Sequence, residues 1–144
     1  MKVENMNGVE LLTAMIEGHL PAPSISETMP MQLIEVAVGY VKFSAKADAR
    51  HLNPMGGVHG GFAATVLDSV LGCAVHSALE AGVGYGTVDL NIKMVRPIPQ
   101  NTDLFAEGRL INLSRNLGIA EGSLKDAAGK LYAHGTTTCS IIRP

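Results

Sequence analysis

The stretch "NPMGGVHGGFAATVLDSVLG", residues 53–72, decides the fold of this chain. Four glycines flank His59, and the apolar run that follows contains a single aspartate, Asp68. Glycine is unfavourable inside a helix and a buried carboxylate is costly, so both features need a structural reason. No proline interrupts residues 59–81 and glycines follow shortly afterwards, which predicts one long helix over this range.

Apolar residues fill most of the circumference of this helix, so we expect it to be buried on most sides. They are Phe62, Val66, Leu67, Val70, Leu71, Ala74, Ala78 and Leu79. A shorter amphipathic helix is predicted upstream in "NGVELLTAMIEGHLPAP", residues 7–23. Its apolar positions recur at helical spacing, and prolines at its end stop it.

Strand-like segments lie on both sides of the long helix. Residues 31–48 alternate between apolar and polar positions around a Gly39-Tyr40 turn, which predicts two strands. Residues 85–96, 102–115 and 117–144 are also strand-like, and "KDAAGK" divides the last segment into a hairpin. This order predicts an α+β fold with an antiparallel sheet wrapped around one central helix. We expect a single domain over residues 1–144, in which residues 1–25 form an N-terminal helical extension.

Composition limits the classes of partner. The 144 residues are 47% hydrophobic and 17% charged, with a net charge of −2, so the chain has no basic field suited to nucleic acid. The N-terminus lacks an apolar signal region and no run reaches membrane-spanning length, so we expect no membrane partner and a cytoplasmic location. Cys73 and Cys139 are predicted to be buried free thiols, and the scattered histidines make no metal-ligand spacing.

The glycines after His59 stand where a helix exposes backbone N–H groups that have no partner inside the helix. Gly60 and Gly61 carry no side chain, so an anionic oxygen can approach those N–H groups, as in an oxyanion hole. The alternative is a loop that needs glycine only for positive φ angles. Either interpretation accounts for the glycines at this stage.

Asp68 follows Gly61 by seven residues, which is about two turns, or roughly 10 Å, along a helix. Small residues surround it on the same stripe of the helix, which leaves room for a ligand or another backbone. The alternative is a solvated or salt-bridged aspartate. His59 lies on the opposite side of an ideal helix from Asp68, so no Ser-His-Asp arrangement is predicted.

The pattern Asn53, Gly56, His59, Gly60, Gly61 and Asp68, followed by "GTVDLNIKMVRPIP", resembles the PaaI-like (phenylacetate-degradation type) acyl-CoA thioesterases of the hotdog-fold superfamily. The resemblance implies a hotdog fold and paired subunits that share an active site. It also implies hydrolysis of short-chain, medium-chain or aryl acyl-CoA to free acid and CoA. No cofactor is implied beyond the CoA of the substrate, and the expected assembly is a homodimer or a homotetramer.

Particular site roles are also implied by the resemblance. The Gly60 N–H would polarise the thioester carbonyl, and Asp68 of the opposite subunit would act as general base or nucleophile. Asn53 would help to place the water or the carbonyl, and Thr87 would lie near the water. Gly61 would border the substrate, and so would His59, for which ordering of the loop by hydrogen bonds is the alternative.

Further candidates for substrate and CoA binding are suggested by charge and polarity. They are Lys93, Arg96 and Arg115 for the CoA phosphates, and Val58, Phe62 and Leu90 for the acyl group. A solvated surface position remains the alternative for each cation, and core packing for each apolar residue. A hotdog hydratase or dehydratase and a non-catalytic acyl-CoA sensor are the alternative functions.

Overall fold

The elements follow the order expected from the sequence. The structure, a computed structural model, describes residues 2–144. The helices are α1 (Gly8–Ile16), α2 (Ile25–Thr28) and α3 (Gly60–His76). The strands are β1 (Met31–Ala37), β2 (Tyr40–Ala45), β3 (Gly84–Met94), β4 (Leu104–Leu113), β5 (Leu117–Asp126) and β6 (Leu131–Ile142).

All six strands form one antiparallel sheet in the order β1-β2-β4-β5-β6-β3, so β1 and β3 are its two edges. α3 packs against β2, β3, β4, β5 and β6, and its apolar side chains form the centre of the core. The predicted α+β architecture, an antiparallel sheet around one long helix, is confirmed.

Close approach of the sheet to α3 depends on small residues in the strands. A Cβ atom at Gly108 of β4 would lie 2.8 Å from the carbonyl oxygen of Val70 on α3, which is closer than atoms can pack. Glycine at this position therefore lets the middle of the sheet rest directly on the helix backbone.

α3 ends at His76, five residues earlier than the predicted end at residue 81. The Ser77 hydroxyl donates to the Ala74 carbonyl at 2.7 Å and accepts the Gly39 N–H at 2.8 Å, so it ties the helix end to the β1–β2 turn. This contact between distant parts of the chain gives no local sequence signal, which is why the helix looked longer.

α1 is fastened to this same C-terminal end of α3. A Cβ atom at Gly8 would fall 1.6 Å from the His76 carbonyl oxygen, and the Gly8 N–H donates to the Leu79 carbonyl at 2.9 Å. Leu12 of α1 is buried in the core. The one-turn helix α2 was not predicted, because four residues are too few to show a helical period. Within residues 2–144, no helix combines the length and the apolar character needed to cross a membrane.

Candidate active site

The loop before α3 is held by one side chain. Asn53 Oδ1 accepts the N–H groups of Met55 at 3.0 Å and Gly57 at 3.2 Å, and Gly56 has a φ of +88°. Glycine is therefore needed at position 56 for the backbone conformation itself. The structure places Asn53 as a support of the loop, and its Oδ1 is already used there.

His59 is the N-cap of α3. Its Nδ1 accepts the Gly61 N–H at 2.8 Å, so that amide is satisfied. Among residues 2–144, the Gly60 N–H has no hydrogen-bond partner. A Cβ atom at Gly60 would meet the Met94 thioether at 2.7 Å. Of the two candidate donors, Gly60 alone remains open to a ligand.

A cavity of about 280 Å³ lies beside this amide, and we call it the Gly60 cavity. Its lining includes Val58, Gly60, Met94 and Arg96. The helix dipole and the open N–H both favour a partially negative oxygen at this place. The Gly60 cavity therefore has the electrostatic character of an oxyanion site.

Asp68 lies in the middle of α3 and faces β3. The Thr87 hydroxyl donates to Asp68 Oδ1 at 2.9 Å. Both residues line a second cavity, of about 340 Å³, which we call the Asp68 cavity. Asp68 is neither in the core nor fully solvated, and it takes part in no ion pair among the described residues. Its partner is a hydroxyl group.

A β-bulge in β3 makes the contact between Thr87 and Asp68 compatible with core packing. The pairing with β6 shifts register between Thr87 and Asp89. Thr87, at an odd-numbered position, therefore points to α3, and so do the even-numbered Leu90 and Ile92 after the bulge, which pack against the core. In a regular strand these positions would face opposite sides of the sheet, so the bulge aims Thr87 at the site.

The Gly60 N–H and the Asp68 carboxyl group do not meet within one chain. They are eight residues apart on α3, which separates them by about 12 Å along the helix axis. They also line different cavities. One thioester carbonyl group, which is a few ångströms across, cannot contact both groups of the same chain.

The Asp68 cavity also contains a thiol and a phenol. Burial and, to a smaller extent, the nearby Asp68 carboxylate together raise the pKa of Cys73 to about 12. Burial likewise raises the pKa of Tyr85, whose side chain pairs with Cys73. Both groups stay protonated near neutral pH, so Cys73 is not an activated nucleophile. Both cysteines are free thiols; Cys139 is buried as predicted, whereas Cys73 is only partly buried because it borders the Asp68 cavity.

The three candidate cations lie at different places. Arg96 lines the Gly60 cavity, and its Nη1 donates to the Leu131 carbonyl at 2.7 Å, while Lys93 is exposed on β3. Arg115 is exposed in the β4–β5 turn. The start of β5 just after it packs against Val75, so Arg115 lies near the C-terminal end of α3, whereas the Gly60 cavity lies at the N-terminal end. One chain therefore does not bring Arg96 and Arg115 together.

The predicted acyl contacts do not converge either. Phe62 is 1% exposed and packs in the core, with its ring 5.2 Å from that of His51. Its side chain has almost no exposed surface, so of the two roles stated for Phe62 the structure shows core packing. Leu90 packs partly buried against the core, and Val58 lines the Gly60 cavity. Sequence reasoning missed the residues of α1, α2 and β1 that line the Asp68 cavity, because only tertiary packing brings them to α3.

Comparison with known proteins agrees with this geometry. A model of the thioesterase superfamily matches residues 55–133, which is more than half of the chain. This chain belongs to the thioesterase superfamily. Human acyl-coenzyme A thioesterase 13 is 30% identical over 107 residues, which cover 74% of this chain and 76% of that protein.

Two further similarities extend the comparison. A protein from Halobacterium salinarum is 39% identical over 83 residues, and this match spans only 54% of that protein. The crystal structure of a phenylacetic acid degradation-related protein from Ralstonia eutropha JMP134 is 32% identical, with a TM-score of 0.81. It covers 90% of this chain, and this chain covers 98% of it. The prediction of a PaaI-like member of the hotdog-fold thioesterases is confirmed.

Proposed function

We propose that this protein is an acyl-CoA thioesterase whose active site is completed by two copies of the chain. In this proposal it hydrolyses short-chain, medium-chain or aryl acyl-CoA to the free acid and CoA. Membership of the thioesterase superfamily and the similarity to acyl-coenzyme A thioesterase 13 support the reaction class. The observation that carries the two-copy site is the separation of Asp68 from the Gly60 N–H on α3.

A second copy of the chain would bring an Asp68 carboxyl group close to a Gly60 N–H. Each subunit offers a carboxyl group in one cavity and an open amide in another, so two subunits related by a two-fold axis can pair them reciprocally. Such a dimer has two equivalent sites, each with Asp68 of one subunit and Gly60 of the other. A homodimer is thus the smallest active unit, and we expect two dimers to form a homotetramer.

The proposed chemistry uses both groups on one carbonyl. The Gly60 N–H stabilises the negative charge that develops on the thioester oxygen, and one such donor is worth roughly 3–4 kcal/mol. As general base, Asp68 takes a proton from water while the water oxygen attacks the carbonyl carbon. The C–S bond then breaks, and the CoA sulfur receives the proton. As nucleophile, an Asp68 carboxylate oxygen instead attacks the carbonyl carbon, the C–S bond breaks and CoA leaves as the thiolate. Water then hydrolyses the resulting acyl anhydride, which releases the acid, regenerates the Asp68 carboxylate and supplies the proton that CoA takes up.

Thr87 has a positioning role in either route. Its hydroxyl proton is donated to Asp68 Oδ1, which leaves Oδ2 for the water or for the carbonyl carbon. Neither route requires a metal ion or an organic cofactor, and CoA takes part only as a portion of the substrate. Among residues 2–144, no three His, Cys, Asp or Glu side chains are grouped as a metal site.

The alternative activities receive less support from the site. Hydration or dehydration at carbon needs a histidine that moves a proton across the pocket, whereas His59 Nδ1 is used as the N-cap of α3. An acyl-CoA sensor would bind the same ligand without cleaving it. Release of free thiol from a panel of acyl-CoA thioesters distinguishes the two. We expect turnover of at least one member, and binding without turnover of any member would contradict the proposal.

A further inference from the structure

We propose that the N-terminal segment sets the length of the acyl group that the enzyme accepts, with Ile25 as the residue that limits it. This inference rests on the proposed thioesterase function and goes beyond it. It concerns residues that the thioesterase superfamily model, which begins at residue 55, does not include.

The Asp68 cavity lies between the two edges of the sheet. Residues of the edge strand β1 and residues of the edge strand β3 both line it, and Asp68 and Cys73 of α3 form its base. α1 contributes Met15, and residues 22–26, here called the cover segment, contribute Ala22, Pro23, Ile25 and Ser26. The cover segment thus forms a wall of the cavity that contains the reacting carboxyl group.

This wall is fastened on both sides. α1 is fixed by the packing of Gly8 against the end of α3. On the other side, His51 accepts the Asp48 N–H at Nδ1, so its Nε2 carries the proton and donates to the Thr28 carbonyl at 2.9 Å. The Lys46 N–H donates to the Pro30 carbonyl at 3.1 Å. Anchors at both ends give the wall a defined position.

The chemistry of the lining identifies the acyl group as the part of the substrate that it contacts. Met15, Ile25, Leu33 and Phe43 are apolar, and the cavity adjoins the Asp68 carboxyl group where the thioester would react. A volume of about 340 Å³ is near the lower end of the range for ligand pockets, so a medium-chain or aryl acyl group is favoured over a long chain. Ile25 is 44% exposed at this wall, which is apolar surface that an acyl chain would cover.

The test compares variants at Ile25 with matched variants at Ile16. Ile16 has a similar exposure, 38%, but stands outside the cavity lining. Hydrolysis is measured as kcat/KM on phenylacetyl-CoA and on saturated acyl-CoA thioesters of two to sixteen carbons. We expect Ile25→Ala to favour the next longer even-numbered chain by roughly 15-fold, because that chain has two more methylenes and each newly buried methylene contributes about 4-fold. Ile25→Trp should shift the preference to shorter chains, and Ile16→Ala and Ile16→Trp should leave it unchanged.

A binding measurement separates this inference from the proposed function. The chain has no tryptophan, so Ile25→Trp carries a single fluorophore at the cavity wall, and Ile16→Trp carries one outside it. We expect butyrate and hexanoate, which are short enough for the cavity narrowed by Ile25→Trp, to change the emission of that protein saturably and to leave the Ile16→Trp protein unchanged. Such a response without hydrolysis of any thioester would contradict the thioesterase proposal but support the cavity assignment. An unchanged chain-length profile in Ile25→Ala, or no emission response in Ile25→Trp, would overturn the inference.

Discussion

The N-terminal end of α3 and its middle carry the two halves of the proposed chemistry, and they are built in different ways. The N-terminal end is built by contacts between residues close together in the sequence: Asn53 holds the loop, His59 caps the helix, and the Gly60 N–H is left open. The middle of the helix is built by a tertiary contact, because the Asp68 carboxyl group accepts a hydrogen bond from Thr87, which lies on a strand nineteen residues further along the chain.

This difference explains why one chain keeps the two halves apart. A helix of fixed rise separates positions 60 and 68 by about 12 Å, and no local change of the loop can shorten that distance. Two copies of the chain supply the missing proximity. The predictions below test the halves separately before the last measurement tests their combination.

Asp68→Asn should have the largest effect, because it removes the proposed base or nucleophile and keeps the shape of the side chain. We expect kcat for acyl-CoA hydrolysis to fall by about 10²–10⁴ while the melting temperature stays close to that of the parent. Asp89→Asn, at an exposed carboxylate two residues beyond Thr87, is the control and should keep full activity. Parental turnover in Asp68→Asn would remove this residue from the chemistry.

Gly60→Pro tests the other half, because it deletes the open N–H, and Gly60→Ala controls for the side-chain atoms that both variants add beside Met94. Position 60 is the first residue of α3 and His59 has an extended backbone (ψ 137°), so proline is compatible with the fold there. We expect kcat to fall by about 10²–10³. Gly60→Ala keeps the N–H, and the flexible end of Met94 can move aside, so its loss should be much smaller. Equal losses in both variants would point to crowding instead of the lost donor.

Arg115→Ala should act on substrate binding and not on the chemical step. We expect its KM for acyl-CoA to rise at least about 10-fold, since a charged hydrogen bond is worth about 1.5–3 kcal/mol. A small thioester that lacks the nucleotide should be cleaved as by the parent. Arg96→Ala should have a weaker effect, because Arg96 already donates to the Leu131 carbonyl. The same change on both substrates would separate Arg115 from nucleotide binding.

Thr87→Val should have the smallest effect of this series. It removes the hydroxyl that donates to Asp68 and keeps the β-branched shape, so we expect kcat to fall about 5-fold, corresponding to about 1 kcal/mol. Thr87→Ser restores the hydroxyl and should recover most of the activity. Failure of Ser to do better than Val would mean that Thr87 acts through packing alone.

The local half of the site was predictable from the sequence, and the tertiary half was predictable only in part. Glycines 60 and 61 at the start of an apolar helix indicated an open helix terminus, and the structure shows that the cap by His59 selects Gly60 as the free donor. The order of the strands along the chain and the central helix also follow from periodicity and turn residues, whereas their order within the sheet does not.

What escaped prediction depends on contacts between distant segments. The bulge that turns Thr87 towards Asp68, the early end of α3 at Ser77, and the cover segment beside Asp68 leave no periodic pattern in the sequence. The two roles left open for Phe62 could not be separated for the same reason, since an apolar residue next to the glycine motif gives the same sequence pattern whether it faces a ligand or the core.

The most direct test of the two-copy site is activity in a mixed dimer. Asp68→Asn and Gly60→Pro subunits carry different affinity tags, are co-expressed, and the doubly tagged dimer is purified and assayed. A hybrid retains one site with an intact Asp68 from one subunit and an intact Gly60 from the other, so we predict about half of the parental activity per dimer. Activity no higher than that of either inactive variant alone would contradict a site shared between subunits.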